Sequence, residues 1–297
     1  MSAAASSRPS RARLYLRLGR VSNLPTVWTN TLAGVVLAGG ARDAGTLGRL
    51  ALALSLFYVG GMFLNDAFDR DIDARERPER PIPSGHVTAG EVFGVGFGLL
   101  GAGLGLLAWN ASLRSEAPGG VLVSGAVLAA CIVLYDAWHK RNPWSPVVMG
   151  ACRAALYVTA GIGAGGAVSG TLLVGAAVLG AYVVGLTFVA RQENRQSYRA
   201  GATLSLLASP IALAAFGSLG AVAWGALAAF VAWAVVAVAP LFSQAQPNVP
   251  RSVVRLIAGI SLVDALMTAA YGAPALAPLG VLGLGATLVL QRWVRGT

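Results

Sequence analysis

Residues 65–73 read NDAFDRDID, and they follow directly on an apolar run at about positions 47–65. An apolar run of this length is long enough to cross a lipid bilayer as a helix. Six of the twelve acidic residues of the chain lie between positions 66 and 79, so the acids are concentrated where this helix would leave the membrane. The segment therefore predicts a transmembrane helix with a dense carboxylate site at one end.

The composition of the whole chain supports a membrane environment. Of the 297 residues, 11% are charged and 56% are hydrophobic, and the mean hydropathy is +0.68. A soluble domain carries roughly 25% charged residues, so this chain has too little polar surface to face water on all sides. Lipid allows only helices or closed barrels, and barrel strands would be shorter and would alternate. We therefore predict an all-α, polytopic helical bundle.

Ten apolar runs are candidates for the spans of this bundle. They lie at about 24–40, 47–65, 88–109, 119–136, 145–165, 169–190, 202–218, 221–240, 253–272 and 274–291. The run at 202–218 is the weakest, because it is short and contains Pro210. The last two runs meet at the short junction from Gly272 to Pro274 and would form a tight hairpin if both span the membrane. The expected number of spans is ten, or nine if that hairpin re-enters the membrane.

The net charge of +10 is spread over short loops between the apolar runs, which argues against a nucleic-acid partner. With the N-terminus inside, 18 of the 22 cations lie on the inner side and only Arg42, Arg49 and Arg114 lie outside. This asymmetry is what the positive-inside rule expects. We predict an integral protein of the inner (cell) membrane, with both ends and the acidic loop facing the cytoplasm.

We expect residues 1–23 to be a cytosolic tail and residues 24–297 to be one transmembrane domain. The tail contains five arginines and several serines, but no small-residue cleavage site follows a short apolar core. Cys131 and Cys152 lie in apolar segments without zinc-ligand spacing, so we interpret them as small buried hydrophobic residues.

The carboxylates of the acidic segment fall on one side of a helix. At 100° per residue, Asn65, Asp69, Asp73 and Asp66 lie at about 0°, 40°, 80° and 100°, and Asp71 lies near 240°. Clustered carboxylates at a membrane boundary repel one another, and a divalent cation relieves that cost. Oxygen ligands alone favour magnesium or calcium. The alternative is a solvated helix end whose acids pair with neighbouring arginines, namely Arg70, Arg75, Arg77 and Arg80.

The next residues, RERPERPIPSG at 75–85, predict an ordered cytosolic loop because proline and glycine end the helix. Arginine suits bidentate contacts with diphosphate oxygens, which makes the loop arginines Arg75, Arg77 and Arg80 candidates for substrate binding. Arg80 is the strongest of them, since it directly precedes Pro81. The alternative for each arginine is a topological anchor.

The sequence from Asn65 to Gly85 resembles the signature of the UbiA superfamily of intramembrane prenyltransferases, an N-D-x-x-D-x-x-x-D motif followed by an R-P-x-x-x-G loop. Within that superfamily, NDAFDRDIDARERPERPIPSG is most similar to the chlorophyll synthase branch. The first span, VSNLPTVWTNTLAG, resembles the family opening with Asn30 at its usual asparagine. The segment LYDAWHKRNPW resembles the family's tyrosine and lysine after the fourth span, with a shorter spacing between Tyr135 and Lys140.

The resemblance implies a UbiA-like fold and a chemical plan. Mg²⁺ held by Asn65, Asp66, Asp69 and Asp73 would grip the diphosphate of a polyprenyl donor. A hydrophobic, aromatic or polycyclic acceptor would then capture the allylic carbocation. The candidate residues for catalysis are Asp66, Asp69, Asp73 and Asp136. The candidates for substrate binding are Asn30, Arg70, Arg80, Tyr135, Lys140, Arg153, Arg191 and Glu193.

The sequence departs from the family at its second acidic motif, commonly D-x-x-x-D near the inner end of the sixth span. The corresponding residues read FVARQENRQ at 188–196, where Glu193 is the only acid. Three explanations stay open. In the first, Glu193 suffices together with Asn194. In the second, Arg191 and Arg195 replace the metal as the counter-charge to diphosphate. In the third, the ability to ionise the diphosphate has been lost. A surface salt bridge from Glu193 to Arg191 or Arg195 is the structural alternative.

Four further polar residues lie near or within the spans. Asp136 has two interpretations, one as a residue that holds the acceptor or acts as a base and one as a partner of Lys140. We expect His139 to be interfacial. Arg153 is a costly cation inside a span and is predicted to bind phosphate or carboxylate, with a structural ion pair as the alternative. The role of Asp264, the other isolated charge within a span, stays open.

Three functions are compatible with these features. The leading one is a Mg²⁺-dependent prenyltransferase that uses a polyprenyl diphosphate and a hydrophobic acceptor. A cyclase that ionises the same donor without an acceptor is the second. The third is a protein that binds or moves a lipid-like intermediate without chemistry, which the missing second motif favours and the intact first motif opposes. A transporter would show inverted repeats, and none is evident in the sequence.

Overall fold

The computed structural model describes residues 10–114, 118–140, 142–193, 201–212, 219–243 and 247–294. Secondary structure within these ranges is helical, and none of them contains a strand. The prediction of an all-α bundle is thus confirmed. The helices run as follows: α1 Arg11–Leu18, α2 Leu24–Leu37, α3 Ala44–Phe68, α4 Arg70–Glu76, α5 Ala89–Leu113, α6 Gly119–Trp138, α7 Ser145–Gly163, α8 Gly170–Ala190, α9 Gly201–Leu207, α10 Ser209–Ala212, α11 Ala221–Val238, α12 Val249–Ala270 and α13 Ala277–Leu290.

Seven of these helices are long and apolar enough to cross a membrane: α3, α5, α6, α7, α8, α11 with the short turn after it, and α12. The chain is therefore an integral membrane protein. The first and last apolar runs form the shorter helices α2 and α13, each of 14 residues. The weak run at 202–218 breaks into α9 and α10 near Pro210, and residues 213–218 lie outside the described ranges. The count of nine or ten spans stays a prediction.

The helix starts follow from local sequence. Thr88 and Asp43 accept hydrogen bonds from the backbone N–H three residues on, at 3.1 Å for Glu91 and 2.9 Å for Thr46. Ser169 and Asn248 cap α8 and α12 in the same way. These side chains satisfy N–H groups that the first helical turn leaves without a partner. The caps fix where each helix enters the bundle.

Helix α12 lies at the centre of the bundle, where it contacts α2, α8, α11 and α13. Of its most apolar 18-residue stretch, 72% is buried inside the bundle, against 22% of the corresponding stretch of α6 at the periphery. Large apolar side chains on α6 face outward, and Trp138 and Trp144 are 58% and 67% exposed next to its C-terminal end. Exposed apolar helix faces flanked by tryptophan are typical of lipid contact and its interfacial aromatic belt.

A close crossing of α2 and α7 brings two polar side chains together inside the bundle. A Cβ atom added at Gly34 would lie 2.5 Å from the carbonyl oxygen of Tyr157, so the crossing requires glycine at this position. One turn earlier on α2, Asn30 Oδ1 accepts a hydrogen bond of 2.7 Å from Arg153 Nη1 on α7.

The residues before α2 also contribute to the bundle. Leu18 of α1 is 1% exposed and packs with Phe63 of α3. The chain then turns at Arg20, whose φ of 42° is the only positive φ among the described residues other than glycine. Such a backbone costs on the order of 1 kcal/mol for a residue with a Cβ. The turn directs Arg20 toward the end of α3. The expected boundary between a tail and a domain at residue 24 stays a prediction.

We expect Gly34→Ala to lower the free energy of unfolding by about 1–3 kcal/mol, because the added methyl group overpacks the α2–α7 crossing. Thermal unfolding in detergent measures the effect. Gly94→Ala on α5 is the matched control, since its Cβ would meet no heavy atom within 4 Å. Equal melting temperatures for the two variants would contradict this account of the crossing.

Candidate functional site

The acidic segment continues α3 into α4 with only a brief irregularity at Asp69. The N–H of Asp69 donates to the Asn65 carbonyl at 3.0 Å, and that of Asp73 donates to the Asp69 carbonyl at 2.9 Å. The four residues assigned to one helix side are Asn65, Asp66, Asp69 and Asp73, and they are 7%, 9%, 4% and 3% exposed. The side chain of Asp71 is 77% exposed. The acids of that side therefore face the protein.

Two arginines from different parts of the chain hold the acids at the end of α3. Arg20 Nη2 lies 3.3 Å from Asn65 Oδ1 and 3.3 Å from Asp66 Oδ1. Arg80 Nη1 donates to Asp66 Oδ1 at 3.3 Å and to Asp73 Oδ2 at 2.7 Å. Burial nevertheless raises the pKa of Asp73, because its desolvation outweighs the contribution of Arg80.

Asp69 pairs with the residues that follow α6. Its Oδ2 lies 3.4 Å from His139 Nε2 and 3.3 Å from Lys140 Nζ. Burial acts to raise the pKa of Asp69, but the hydrogen bond from His139 and the charges of His139 and Lys140 outweigh it and lower the pKa. The carboxylate is therefore kept ionised next to His139 and Lys140.

Asp136 lies deeper, within the last turn of α6, and its partner is Asn65. Asn65 Nδ2 donates to Asp136 Oδ1 at 3.1 Å. The other oxygen, Oδ2, is buried and has no hydrogen-bond partner among the described residues. Lys140 pairs with Asp69 and not with Asp136. An unpaired buried carboxylate oxygen is costly, so it is ready to accept a proton or hydrogen bond from a ligand.

The side chains predicted to ligate a metal are three carboxylates and one amide, and oxygen ligands of this kind suit a hard divalent cation. No group of three or more His, Cys, Asp or Glu side chains suited to a metal is present in the part of the chain that the structure describes. Arginine, histidine and lysine nitrogens instead contact one oxygen of each carboxylate and leave the second oxygen outside these pairs. A metal ion would join or displace these contacts, and the predicted Mg²⁺ site stays a prediction.

A cavity of about 340 Å³ opens beside these residues, and its lining has a polar part and an apolar part. The polar part is lined by cationic and amide side chains, among them Arg20, Asn65, Arg80 and Lys140. The apolar part is lined by residues of α8 and α12, among them Val183, Leu186, Val253, Ile257 and Ile260. The cavity therefore suits an amphiphile with an anionic head.

A second cavity of about 70 Å³ reaches farther into the bundle between α3, α6 and α7. It shares Tyr58, Tyr135 and Arg153 with the larger cavity. Its remaining lining is apolar except for Asp136 and Cys152. The two cavities thus meet where Tyr135 and Arg153 face both of them.

Several predicted residues lie away from the cavities. Arg70 pairs with exposed Asp71 at 3.5 Å and lies over the Phe93 ring. Arg191 donates to the Pro143 carbonyl at 3.3 Å. Neither residue lines the two cavities described above.

Glu193, the acid of the degenerate second motif, lines the larger cavity and pairs with Arg77 at 3.6 Å. The alternative partner Arg195 and the predicted helper Asn194 lie outside the described residues.

Asn30 does not line the larger cavity but supports a residue that does. Its Nδ2 donates to both oxygens of Asp264, at 2.9 and 2.8 Å, and its Oδ1 accepts from Arg153. Asn30 therefore connects the two isolated charges within the spans.

Sequence reasoning missed Arg20 and Tyr58 as cavity residues. Arg20 is one of the five arginines before the first apolar run, and this position is compatible with an interfacial site. Tyr58 lies within an apolar run, and the Arg153 guanidinium lies 5.5 Å from its ring centre. Only the packing of α3 against α7 shows this pair.

These features define a membrane-embedded helical bundle with an amphiphilic cavity that is polar at the end of α3. The chain belongs to the UbiA prenyltransferase family, since the sequence profile of that family matches residues 27–263. The likeness of residues 65–85 to one branch of the family stays a prediction.

Individual relatives match shorter parts of the chain. A digeranylgeranylglyceryl phosphate synthase of Methanopyrus kandleri is 35% identical over 94 residues, 31% of this chain and 34% of that protein. A protoheme IX farnesyltransferase of Granulibacter bethesdensis is 33% identical over 143 residues, 46% of this chain and 41% of that protein. The chain thus spans about a third to two fifths of the length of these relatives.

The apo structure of a UbiA homolog from Aeropyrum pernix K1 shares the fold, with a TM-score of 0.50 at 16% identity. That match covers 92% of this chain and 95% of the homolog.

We expect Arg20→Gln to lower the free energy of unfolding by about 1–3 kcal/mol, because buried Asp66 loses one of its two charged partners. Thermal unfolding in detergent without added divalent cations tests this. Arg13→Gln on the exposed side of α1 is the control and should leave the melting temperature unchanged. A melting temperature for Arg20→Gln as high as that of the control would show that Arg20 does not stabilise the acidic site.

Proposed function

We propose that the protein is a Mg²⁺-dependent intramembrane prenyltransferase that moves an isoprenyl group from a polyprenyl diphosphate to a hydrophobic acceptor. The observation that carries the proposal is the two-part cavity, cationic beside the acids of α3 and apolar along α8 and α12. The names of two relatives, a digeranylgeranylglyceryl phosphate synthase and a protoheme IX farnesyltransferase, support a prenyl donor.

The polar end of the cavity is suited to the diphosphate. Arg20, Arg80 and Lys140 line it and offer guanidinium and ammonium donors to phosphate oxygens. Asp66, Asp69 and Asp73 would hold Mg²⁺ through the carboxylate oxygens that their present pairs do not use, and the amide oxygen of Asn65 would exchange its contact with Arg20 for the ion. The bound ion would act as a Lewis acid that stabilises negative charge on the departing diphosphate.

The apolar end of the cavity is suited to the prenyl chain. Val183 and Val253 are 3% and 7% exposed, and they belong to the core cluster that contains other buried apolar side chains of α8 and α12. An apolar wall keeps water from the allylic carbon, so that the carbocation is captured by the acceptor and not by water.

We assign the acceptor to the side of the smaller cavity. Buried Asp136 Oδ2 is available to accept a hydrogen bond from a protic group of the acceptor and to take its proton. In the balanced reaction the allylic C–O bond breaks with its electron pair on the diphosphate. The acceptor forms a new bond to the allylic carbon, and the proton that it loses passes to Asp136.

Two other functions remain as candidates. A cyclase would use the same donor site without an acceptor, and the small size of the second cavity, about 70 Å³, is the observation in its favour. A binding protein without chemistry is favoured by the second acidic motif, whose one acid, Glu193, is paired with Arg77.

We expect the purified protein in nanodiscs to release diphosphate from geranylgeranyl or farnesyl diphosphate when Mg²⁺ is present. Asp66→Ala and Asp69→Ala should each lower that rate by more than about 100-fold, because the leaving group loses preorganised electrostatic stabilisation. Asp71→Ala is the matched control, since this acid belongs to the same segment but is exposed. A diphosphate-release assay measures the rates, and chromatography identifies the organic product.

The outcomes separate the three functions. A prenylated acceptor supports the transferase, and a free cyclic hydrocarbon supports the cyclase. Binding of prenyl diphosphates without release at any chain length supports the non-catalytic function. Equal rates for Asp66→Ala and Asp71→Ala would contradict the assignment of the acidic site.

The orientation of the site is a further proposal, in which the acidic loop faces the cytoplasm of a cell membrane. In a background with Cys131→Ala and Cys152→Ala, we expect Asp71→Cys to react with a membrane-impermeant maleimide only after the cells are lysed. Arg42→Cys, on the opposite side in this topology, should react in intact cells. The reverse labelling pattern would invert the topology.

A further inference from the structure

Asp264 is a carboxylate buried in the middle of the bundle. It lies within α12 and is 1% exposed. Thr29 Oγ1 donates to it at 2.5 Å, Asn30 Nδ2 donates to both of its oxygens, and the Tyr157 hydroxyl donates to Oδ1. Four hydrogen bonds from two other helices are an extensive arrangement for one side chain inside a membrane protein. The mechanism above does not use it.

The hydrogen bonds around Asp264 lead through Asn30 to Arg153, a cation that lines both cavities. The Asn30 amide gives its N–H groups to Asp264, so its carbonyl oxygen is directed at Arg153 Nη1, 2.7 Å away. Asp264 therefore orients the Asn30 amide, and the amide in turn positions the Arg153 guanidinium. The negative charge of Asp264 also offsets the positive charge of Arg153 without a direct contact between them.

Most of the donor capacity of Arg153 is unused. A guanidinium has five N–H donors, and within the described residues only Nη1 of Arg153 makes a hydrogen bond. One face of the group lies over the Tyr58 ring, 5.5 Å from its centre. The guanidinium is thus fixed by one hydrogen bond and one ring contact, while its remaining donors are available to a ligand.

The position of Arg153 separates it from the cations proposed for the diphosphate. Arg20, Arg80 and Lys140 line the larger cavity but not the smaller one, whereas Arg153 lines both. Among the described residues that line the smaller cavity it is the only cationic one, and Asp136 lies there with its unpaired Oδ2. An acceptor there would meet a cation from α7 and a proton acceptor from α6.

We propose that Asp264 is a positioning residue that, through Asn30, presents the Arg153 guanidinium at the junction of the two cavities, where it binds an anionic oxygen of the acceptor. The inference rests on the proposed function in assigning this ligand to the acceptor. The oxygen belongs to a carboxylate or a phosphate. The acceptor class is thereby an acidic amphiphile.

Binding in nanodiscs tests the proposal without relying on turnover. The probes are 4-dodecylbenzoate, dodecyl phosphate, neutral 4-dodecylbenzyl alcohol and, for the donor site, geranylgeranyl thiolodiphosphate, each corrected with empty nanodiscs. We expect the protein to bind at least one of the anionic probes about tenfold or more tightly than the alcohol. The stronger of the two anionic probes identifies carboxylate or phosphate as the source.

A double-mutant cycle tests the role of Asp264. Arg153→Gln should remove the preference for the anionic probe and leave binding of the thiolodiphosphate within about twofold. Asp264→Asn should reduce the preference in the native background and have no further effect in the Arg153→Gln background, because it acts through that residue. Asn30→Ala completes the same cycle if Asp264→Asn does not fold.

A purely structural role has a different signature. Asn110→Ala is the control, since Asn110 is a buried amide, 1% exposed, that bonds Arg49 and the Gly163 carbonyl away from both cavities. It should lower stability without changing the probe preference. The proposal is overturned if neither anionic probe exceeds the alcohol, or if Asp264→Asn weakens the thiolodiphosphate as much as the anionic probe. Absence of diphosphate release with an intact anion preference would reject the transferase function alone.

Discussion

The cost of holding carboxylates at a membrane boundary governs the polar half of this protein. Asp66, Asp69 and Asp73 are all nearly inaccessible to water, and buried charges persist only when they are paired. The chain supplies the partners from three distant segments, which are the turn before α2, the loop after α4 and the end of α6. Pairing the acids therefore also draws these segments together over the cavity.

The same cations that neutralise the acids are the ones that a diphosphate would need. Arg20, Arg80 and Lys140 each contact a carboxylate and each line the larger cavity. A divalent cation on the carboxylates would free these side chains for phosphate oxygens, and a diphosphate without metal would have to compete with the aspartates. This exchange of partners links metal binding to donor binding in electrostatic terms. The 2.7 Å contact of Arg80 with Asp73 is the tightest of these pairs.

The membrane-embedded helical class and the acidic site could be predicted from the sequence, because both depend on local signals. Apolar length predicts a span, and a 100° step per residue predicts which acids share a side, so exposed Asp71 could be distinguished from its buried neighbours. The number of spans was less accessible, since α2, α9 and α13 are too short to be judged by length. The α2–α7–α12 network could not be derived at all. The adjacent residues Thr29 and Asn30 are far along the chain from Tyr157 and from Asp264, and only helix packing joins these three segments.

The two polar regions of the bundle solve one electrostatic problem in different ways. At the membrane boundary, acids meet arginine and lysine directly, and water or ions can enter and exchange these partners. In the centre, Asp264 and Arg153 are separated by a neutral amide, whose dipole lets each charge stabilise the other while neither is fully neutralised. A direct ion pair would use the donors of Arg153 and leave it inert toward ligands. The intervening amide keeps the guanidinium both tolerated in lipid and open to the cavity, which is the combination that a binding residue inside a membrane requires.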